Sequence, residues 1–354
     1  MKTILSVQPN PVIVLIAAGL MIFLGSRPSL SQDNLSVKRK DDVCLRTGYW
    51  PTRADASWQT SFSSKSGSCI SRLKYHDLDA DLLSIEVDIL HYAPAFGLNL
   101  LFAAAPINNG RSQDTDYENS RRLSESKNPV DGRVDLWSLE GRITLPFGTA
   151  PHSLRARAPR LSPAWHWQGI LGIQHYQDSL RMFSTRPLPT TSRLDSQESR
   201  SAQDNGPIAN REQTVGWLNS YYHFSWDAIK IGLKSTWNLT HPLIPLCHSL
   251  EIEGKVTPLL THYLGTGIWN LEDDFAQNPS FHHKAYGYGV SAELSLIYHP
   301  WAAIGFELGW QYLWLAADGG TDITYYYSGE KGKSNLDEVR LLRQGVFVKS
   351  AIYF

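Results

Sequence analysis

The feature that most constrains the fold is a long alternation of side-chain types near the C-terminal end. Between Ala302 and Trp314 every even position is apolar, and the odd positions up to Gln311 are small or polar. Residues 288–298 repeat the pattern, again with apolar side chains at every even position. Successive side chains of a β-strand point to opposite faces, so both segments are predicted to be strands with one apolar face.

The positions of aromatic residues separate two kinds of β protein. A soluble sandwich would show the same alternation, but here aromatic residues lie at the ends of predicted strands, as expected where strands cross lipid headgroups. They include Trp137, Trp165, Trp167, Trp237, Tyr288, Tyr298, Trp310 and Trp314. The C-terminal residues "GVFVKSAIYF" resemble the assembly signal of bacterial outer-membrane barrels, with Phe354 read by the barrel assembly machinery. We therefore predict an all-β fold, a transmembrane antiparallel β-barrel in the cell outer membrane.

The N-terminal segment has the layout of a secretory signal. A basic residue precedes an apolar run at 12–25, and Ser29 and Ser31 form a small-residue cleavage site. This pattern is typical of a signal peptide. We expect a signal peptide at 1–31 and a single barrel domain at 32–354. Outer-membrane lipid and lipopolysaccharide are the expected partners, and a net charge of −1 gives no reason to expect nucleic acid.

The connections between the predicted strands alternate in length. Short or proline-bearing connections lie near 92–97, 147–164, 225–228 and 299–301, and long polar ones lie near 51–68, 107–132, 178–212, 239–283 and 318–340. Short periplasmic turns and long extracellular loops are typical of outer-membrane barrels. Five hairpins, each with a long loop, give about ten strands.

Charged side chains occupy the predicted inward faces of the strands. They are Glu86, Asp88, Glu140, Arg142, Lys230, Lys234, Glu293, Glu307 and Lys349. A barrel of this size has room inside for little more than side chains. Because an unpaired buried ion costs several kcal/mol, we expect these charges to pair and to fill most of the lumen. This argues against a wide porin and permits a thin water path; a solvated lumen is the alternative.

The cysteines and histidines were examined for a disulfide and for a metal site. Cys44 and Cys69 could form a disulfide in an oxidising compartment, which would leave Cys247 over; three unpaired thiols are the alternative. His262 and the pair His282–His283 show no metal-ligand spacing. We expect these histidines to lie at the surface or at an interface, and we predict no metal and no cofactor.

The stretch "DTDYENS" places two carboxylates one residue apart in the predicted polar loop 107–132. Asp114 and Asp116 could share a proton and polarise a water molecule, because a neighbouring carboxylate raises the pKa of its partner. A solvated polar loop, or an incidental cation site, is the alternative interpretation.

With the ten-strand plan, this stretch resembles the omptins, a family of outer-membrane endopeptidases. Asp114, Asp116, Tyr117 and Ser120 match the family's Asp-x-Asp-aromatic stretch ending in Ser. The segments "REQTVGW" and "IGLKSTW" are loosely similar to omptin sequences as well. The similarity extends over most of residues 34–354 in layout, whereas the specific motifs cover about ten residues.

The resemblance implies an Asp-x-His pair in the loop after the seventh strand, where the histidine activates water opposite the two aspartates. The predicted loop 239–283 contains His241 and His248, and neither follows an Asp at that spacing. His248 is the candidate base, and Glu251 and Glu253 do not have the family's position. We therefore predict an omptin-like barrel that is not proteolytic and has a narrow porin-like, structural or surface-binding role. The alternative is an omptin-type endopeptidase, and only this alternative implies a peptide substrate.

Overall fold

The computed structural model describes residues 43–61, 69–91, 96–118, 121–145, 164–184, 188–189, 215–216, 218–239, 249–270, 274–301 and 303–354. The predicted signal peptide lies outside these ranges, as do Ser120, His241, Cys247 and His248. No helix within the described ranges is long and apolar enough to cross a bilayer.

The described chain is a closed antiparallel barrel. Its strands are β1 (Val43–Ser61), β2 (Cys69–His91), β3 (Phe96–Glu118), β4 (Arg121–Leu145), β5 (Ala164–Phe183), β8 (Asn219–Asn238), β9 (Ser249–Ile268), β10 (Phe281–Trp301), β11 (Ile304–Tyr325) and β12 (Lys331–Tyr353). The two-residue strands β6 (Leu188–Pro189) and β7 (Val215–Gly216) pair separately. Each barrel strand pairs with its neighbour along the chain, and β1 pairs with β12 to close the ring. We call the end that holds Val43 and Tyr353 the base, and the opposite end the mouth.

The predicted all-β barrel of about ten strands is confirmed, although one predicted turn and one predicted loop lie inside strands or contain one. The predicted turn at 225–228 lies inside β8, and the predicted loop 239–283 contains the whole of β9. β8 was thus predicted as two strands and β9 was not predicted at all, so the total number of strands was still correct. β9 carries Pro258 in mid-strand, opposite Ile231 and Val290, and the β8–β9 pairing is interrupted there because proline has no N–H to donate.

The other long loops were also predicted to be too long, because the strands extend further toward the mouth. β3 and β4 run through most of 107–132, and β11 and β12 run through most of 318–340. β1 and β5 likewise enter the predicted loops 51–68 and 178–212. Toward the mouth the outward positions become polar, so the alternation in the sequence disappears while strand pairing continues.

Outward apolar side chains form a band around the base half of the barrel. Its most exposed members include Leu83, Ile143, Leu171, Ile231, Leu260, Leu294, Leu308 and Val348. At its upper edge, aromatic hydroxyls meet carboxylates: Tyr49 donates to Asp81 (2.9 Å) and Tyr288 donates to Asp318 (2.8 Å). A lipid-facing band with aromatic residues at its boundary is the arrangement expected of a membrane barrel.

The predicted disulfide is wrong, since Cys44 and Cys69 are both free thiols. In the β1–β2 pairing, Cys44 lies opposite Asp88 at the base and Cys69 lies opposite Ser61 at the mouth. The positions are about 55 Å apart along the strands, at ~3.3 Å per residue. Disulfide geometry requires Cα atoms within about 7 Å of each other.

Candidate functional site

The interior of the base is a network of ion pairs. Glu140, which is fully buried, accepts hydrogen bonds from Lys230 Nζ (2.5 Å) and Arg142 Nη2 (3.1 Å). Lys349 Nζ lies 3.1 Å from Glu86 and 3.3 Å from Glu293. The structure places all nine charged residues named from the sequence in this interior, and adds Arg46, Glu253 and Lys255.

The added residues balance the charges of the network. The acids are Glu86, Asp88, Glu140, Glu253, Glu293 and Glu307, and the bases are Arg46, Arg142, Lys230, Lys234, Lys255 and Lys349. Because the two signs are equal in number, the network has no formal net charge for mobile ions to neutralise. Above the network, Arg343 forms a second buried layer: it is fully buried and donates to Thr52 Oγ1 (2.7 Å) and Tyr176 Oη (2.9 Å).

A cavity of about 640 Å³ opens at the mouth. Asp114 and Asp116 line one wall, because residues two apart on a strand point to the same side. His283 and Asp322 also line the cavity, from β10 and β11. Aromatic side chains contribute much of the remaining wall: Trp58, Trp269, Phe275, Phe281 and Tyr326. The cavity therefore combines carboxylates with aromatic rings.

Hydroxyl groups hold the two aspartates predicted from the sequence. Asp116 Oδ2 accepts a hydrogen bond from Ser124 Oγ at 2.7 Å. Ser71 Oγ lies 3.5 Å from Asp114 Oδ1. Tyr117 is partly buried, and the Arg72 guanidinium lies over its ring at 5.9 Å. The Asp-x-Asp stretch is thus part of a strand wall and not of a mobile loop tip.

His283 and Asp322 form a pair between neighbouring strands. They are opposite each other in the β10–β11 pairing, and His283 Nε2 lies 3.2 Å from Asp322 Oδ1. Asp322 Oδ2 accepts a hydrogen bond from Ser334 Oγ at 2.6 Å, whereas Oδ1 is buried against His283 Nε2. Burial raises the pKa of Asp322, but His283 and the Ser334 hydroxyl outweigh it and hold that pKa below its ordinary value.

The other ring nitrogen of His283 is also occupied. Nδ1 lies 2.7 Å from the hydroxyl of Tyr222, which in turn lies 2.5 Å from the hydroxyl of Tyr263. Burial and the neighbouring Tyr263 raise the pKa of Tyr222 well above its ordinary value, so the hydroxyl keeps its proton at neutral pH. Gly265 makes this contact possible: it lies on β9 opposite His283, and a Cβ there would overlap the Tyr222 hydroxyl.

The histidine of this site was not identified from the sequence. His283 was expected at the surface or at an interface, yet it is only 2% exposed and lies inside the barrel, so that expectation is wrong. The candidate His248 lies outside the described residues. The seventh barrel strand is β9, whereas the segment "IGLKSTW" that was predicted to be the seventh strand lies in β8. The carboxylate beside His283 comes from the adjacent strand, so no Asp-x-His spacing marks it in the sequence. In the described ranges, no three His, Cys, Asp or Glu side chains are arranged to hold a metal ion.

A solved outer-membrane structure supports this architecture. The chain is similar in fold to the outer membrane protease OmpT from Escherichia coli, with a TM-score of 0.62 at 9% identity over 92% of this chain and 100% of that chain. The translocator domain of the autotransporter NalP from Neisseria meningitidis gives a TM-score of 0.33 at 10% identity, over 97% of this chain and 95% of that chain. No curated protein matches the sequence.

The family itself is shown by sequence. Residues 44–341 match the family described as Protochlamydia outer membrane protein, and this span includes all the mouth residues named above. With the barrel fold, this places the protein in the outer membrane. The chain belongs to the Protochlamydia outer membrane protein family and is an outer-membrane β-barrel of omptin-like fold.

Proposed function

We propose that the mouth cavity captures basic side chains of peptides at the cell surface, and that the barrel does not cleave them. The observation that carries this proposal is the set of three carboxylates in the cavity wall, from Asp114, Asp116 and Asp322. An ammonium or guanidinium group is the donor that carboxylates favour, because hydrogen bonds between ionised partners are roughly twice as strong as neutral ones.

The remaining wall of the cavity favours the same ligand class. Against the three carboxylates, the described lining residues contribute a single ammonium, that of Lys333. The rings of Trp58, Trp269 and Phe281 can hold the face of a guanidinium, since a cation within about 6 Å of an aromatic face is attracted to it. Cationic ligands are therefore favoured over neutral or acidic ones.

Binding without hydrolysis follows from the state of His283. A general base needs an unoccupied lone pair within reach of the water that it activates. In this protein, Tyr222 occupies Nδ1 and Asp322 faces Nε2. Water can reach the imidazole only if one of these partners moves away.

The second candidate function is an omptin-type endopeptidase, and one specific observation favours it. Asp114 and Asp116 share one cavity with His283 and Asp322, which are the types of residue that the resemblance to omptins requires. In that case the two aspartates would hold the water molecule, His283 would accept its proton, and Asp322 would orient the imidazole. The Tyr222 hydroxyl would first have to leave Nδ1.

A wide pore is disfavoured by the paired charges of the base, so we expect at most small currents in planar bilayers. The proposed orientation has the mouth outside the cell and the base in the periplasm, after removal of a signal peptide at 1–31. Phe354, whose amide donates to the Val43 carbonyl (3.0 Å) at the β1–β12 seam, is the proposed contact for the assembly machinery. Lipopolysaccharide is the proposed lipid partner around the mouth.

Peptide binding to matched variants tests the proposal. A fluorescent peptide rich in arginine is titrated into purified barrel in micelles, and its anisotropy is measured. Asp114→Asn/Asp116→Asn should weaken binding at least about tenfold at low salt, where charge attraction is least screened. The control Asp55→Asn/Asp79→Asn removes two exposed carboxylates from the outer wall and should bind as wild type does. Equal affinity for both double variants would contradict the proposal.

A further inference from the structure

Four aromatic rings of the mouth cavity form two corners. The ring centres of Trp269 and Phe281 are 5.8 Å apart and the rings are inclined at 60°, and those of Phe275 and Tyr326 are 5.9 Å apart with an inclination of 57°. All four side chains line the cavity and are only partly buried, so part of each ring stays open to a ligand. Two rings that meet at a steep angle can both contact one compact group between them.

The segments that carry these rings are held by local contacts. Ser280 joins two of them: its hydroxyl accepts a hydrogen bond from the Trp269 amide (2.8 Å), and its carbonyl accepts one from the Tyr325 amide (2.8 Å). Phe281 lies opposite Gly267 on β9, where a Cβ would overlap the phenylalanine ring. The rings are therefore positioned before a ligand arrives, which reduces the entropy lost on binding.

Negative charge lies next to this aromatic wall. The ring centres of Phe281 and His283 are 5.1 Å apart, and His283 Nε2 lies 3.2 Å from Asp322 Oδ1. Two further carboxylates come from β3, and the ammonium of Lys333, the single one among the described lining residues, belongs to an exposed side chain. A cation at the rings is therefore attracted by carboxylates as well as by aromatic faces.

The aromatic wall distinguishes a methylated ammonium from an unmethylated one. A lysine ammonium has three N–H donors that need acceptors once water is displaced, and ring carbons do not replace that water. The carboxylate of Asp322 already faces Ser334 Oγ at 2.6 Å and His283 Nε2 at 3.2 Å. A trimethylammonium group has the same charge and no N–H donor, and its methyl groups gain free energy from contact with the rings.

We propose that the two ring corners select trimethylated lysine over unmodified lysine. The contact rings are those of Trp269, Phe275, Phe281 and Tyr326, and Asp322 supplies negative charge beside them. This inference rests on the proposed capture of basic peptide side chains, and it names the chemical form of the side chain that the cavity prefers.

Three fluorescent peptides that differ at one position test the proposal on the full barrel, purified in micelles. That position is lysine, trimethyllysine or the neutral tert-butyl analogue of trimethyllysine, and binding is measured by anisotropy. The trimethyllysine peptide should bind at least about fivefold more tightly than the lysine peptide, and about tenfold more tightly than the neutral analogue, because only a cation is attracted by the ring faces.

Matched variants show whether the rings cause the preference. Trp269→Leu/Phe275→Leu keeps apolar side chains and removes one ring from each corner, so the preference for trimethyllysine should disappear. The control Tyr327→Leu removes a ring that is 80% exposed and does not line the cavity, and this variant should keep the preference. A gel-mobility shift on heating verifies that each variant is a folded barrel.

The outcomes separate this inference from the proposed function. If the lysine peptide binds and the trimethyllysine peptide binds equally or more weakly, the inference is overturned and the proposed function stands. Equal binding of trimethyllysine and its neutral analogue, or an unchanged preference in folded Trp269→Leu/Phe275→Leu, would also overturn the inference. If wild type binds neither cationic peptide, both the inference and the proposed function are contradicted.

Discussion

The hydroxyl of Tyr222 lies 2.7 Å from Nδ1 of His283, a contact that crosses over β9 at Gly265. Tyr222→Phe would remove it and also leave the Tyr263 hydroxyl without its partner. A buried polar group left unsatisfied costs about 1–3 kcal/mol, so we expect a loss of about 2 kcal/mol or more in the free energy of unfolding. Tyr263→Phe keeps the contact to His283 and should lose less. Urea unfolding in micelles measures both, and equal losses would argue against the arrangement.

The ion pairs of the base predict a large effect for a single amide substitution. Glu140→Gln removes the charge that faces Arg142 and Lys230, which leaves both cations buried beside a neutral group. Removing one partner of a buried pair costs about 3–5 kcal/mol, and we expect a loss of that size in the free energy of unfolding. Glu338→Gln breaks an exposed pair with Arg340 and serves as the control, with little change expected. A loss for Glu140→Gln no larger than the control's would mean that the network is solvated.

Asp322 predicts a specific dependence of stability on pH. Its pKa in the folded chain lies below the ordinary value of 3.8, because His283 and Ser334 outweigh the effect of burial. A carboxyl group of this kind stabilises the fold above its ordinary pKa, and the stabilisation is lost as the pH falls through the folded pKa. The difference in unfolding free energy between wild type and Asp322→Asn should therefore shrink as the pH falls below 3.8. A difference that grows with acidification would show that the pKa is raised instead.

The two described cysteines predict an alkylation pattern. Cys69 is partly exposed at the mouth and Cys44 is buried at the base, so a small alkylating reagent should modify Cys69 first. Burial raises the pKa of the Cys69 thiol above its ordinary value of 9.0, so the rate of alkylation should still be rising when the pH reaches 9.0. Peptide mapping by mass spectrometry follows each site. Recovery of a Cys44–Cys69 crosslink from the purified protein would contradict the structure.

Much of the fold could be predicted because the membrane imposes a simple rule on the base half of the strands. Outward positions such as Leu294 and Leu308 face lipid and must be apolar, and inward positions such as Glu307 meet other charges. Near the mouth no lipid enforces that rule. There the outward face of β8 carries Ser225 and Asp227. These polar residues led to the prediction of a turn at 225–228, although strand pairing continues through them.

Half of the candidate site could be predicted, since Asp114 and Asp116 are two positions apart in the sequence and match a known motif. His283, Asp322 and Tyr222 come from β10, β11 and β8, and the pairing of the strands from β8 to β11 brings them together. The adjacent histidines His282 and His283 were the available signal, because on a strand one of the two must face inward. The two histidines were assigned to the predicted loop 239–283, because Pro258 and the polar ends of β9 hid that strand in the sequence.

The fate of the bound peptide shows whether the mouth binds basic peptide without hydrolysing it. Purified barrel in lipid is incubated with an excess of an arginine-containing peptide, and the peptide mass is followed over time. We expect saturable binding with the peptide recovered intact. Cleavage at a defined bond by wild type, abolished in folded Asp114→Asn/Asp116→Asn and in folded His283→Ala, would contradict it and establish the endopeptidase.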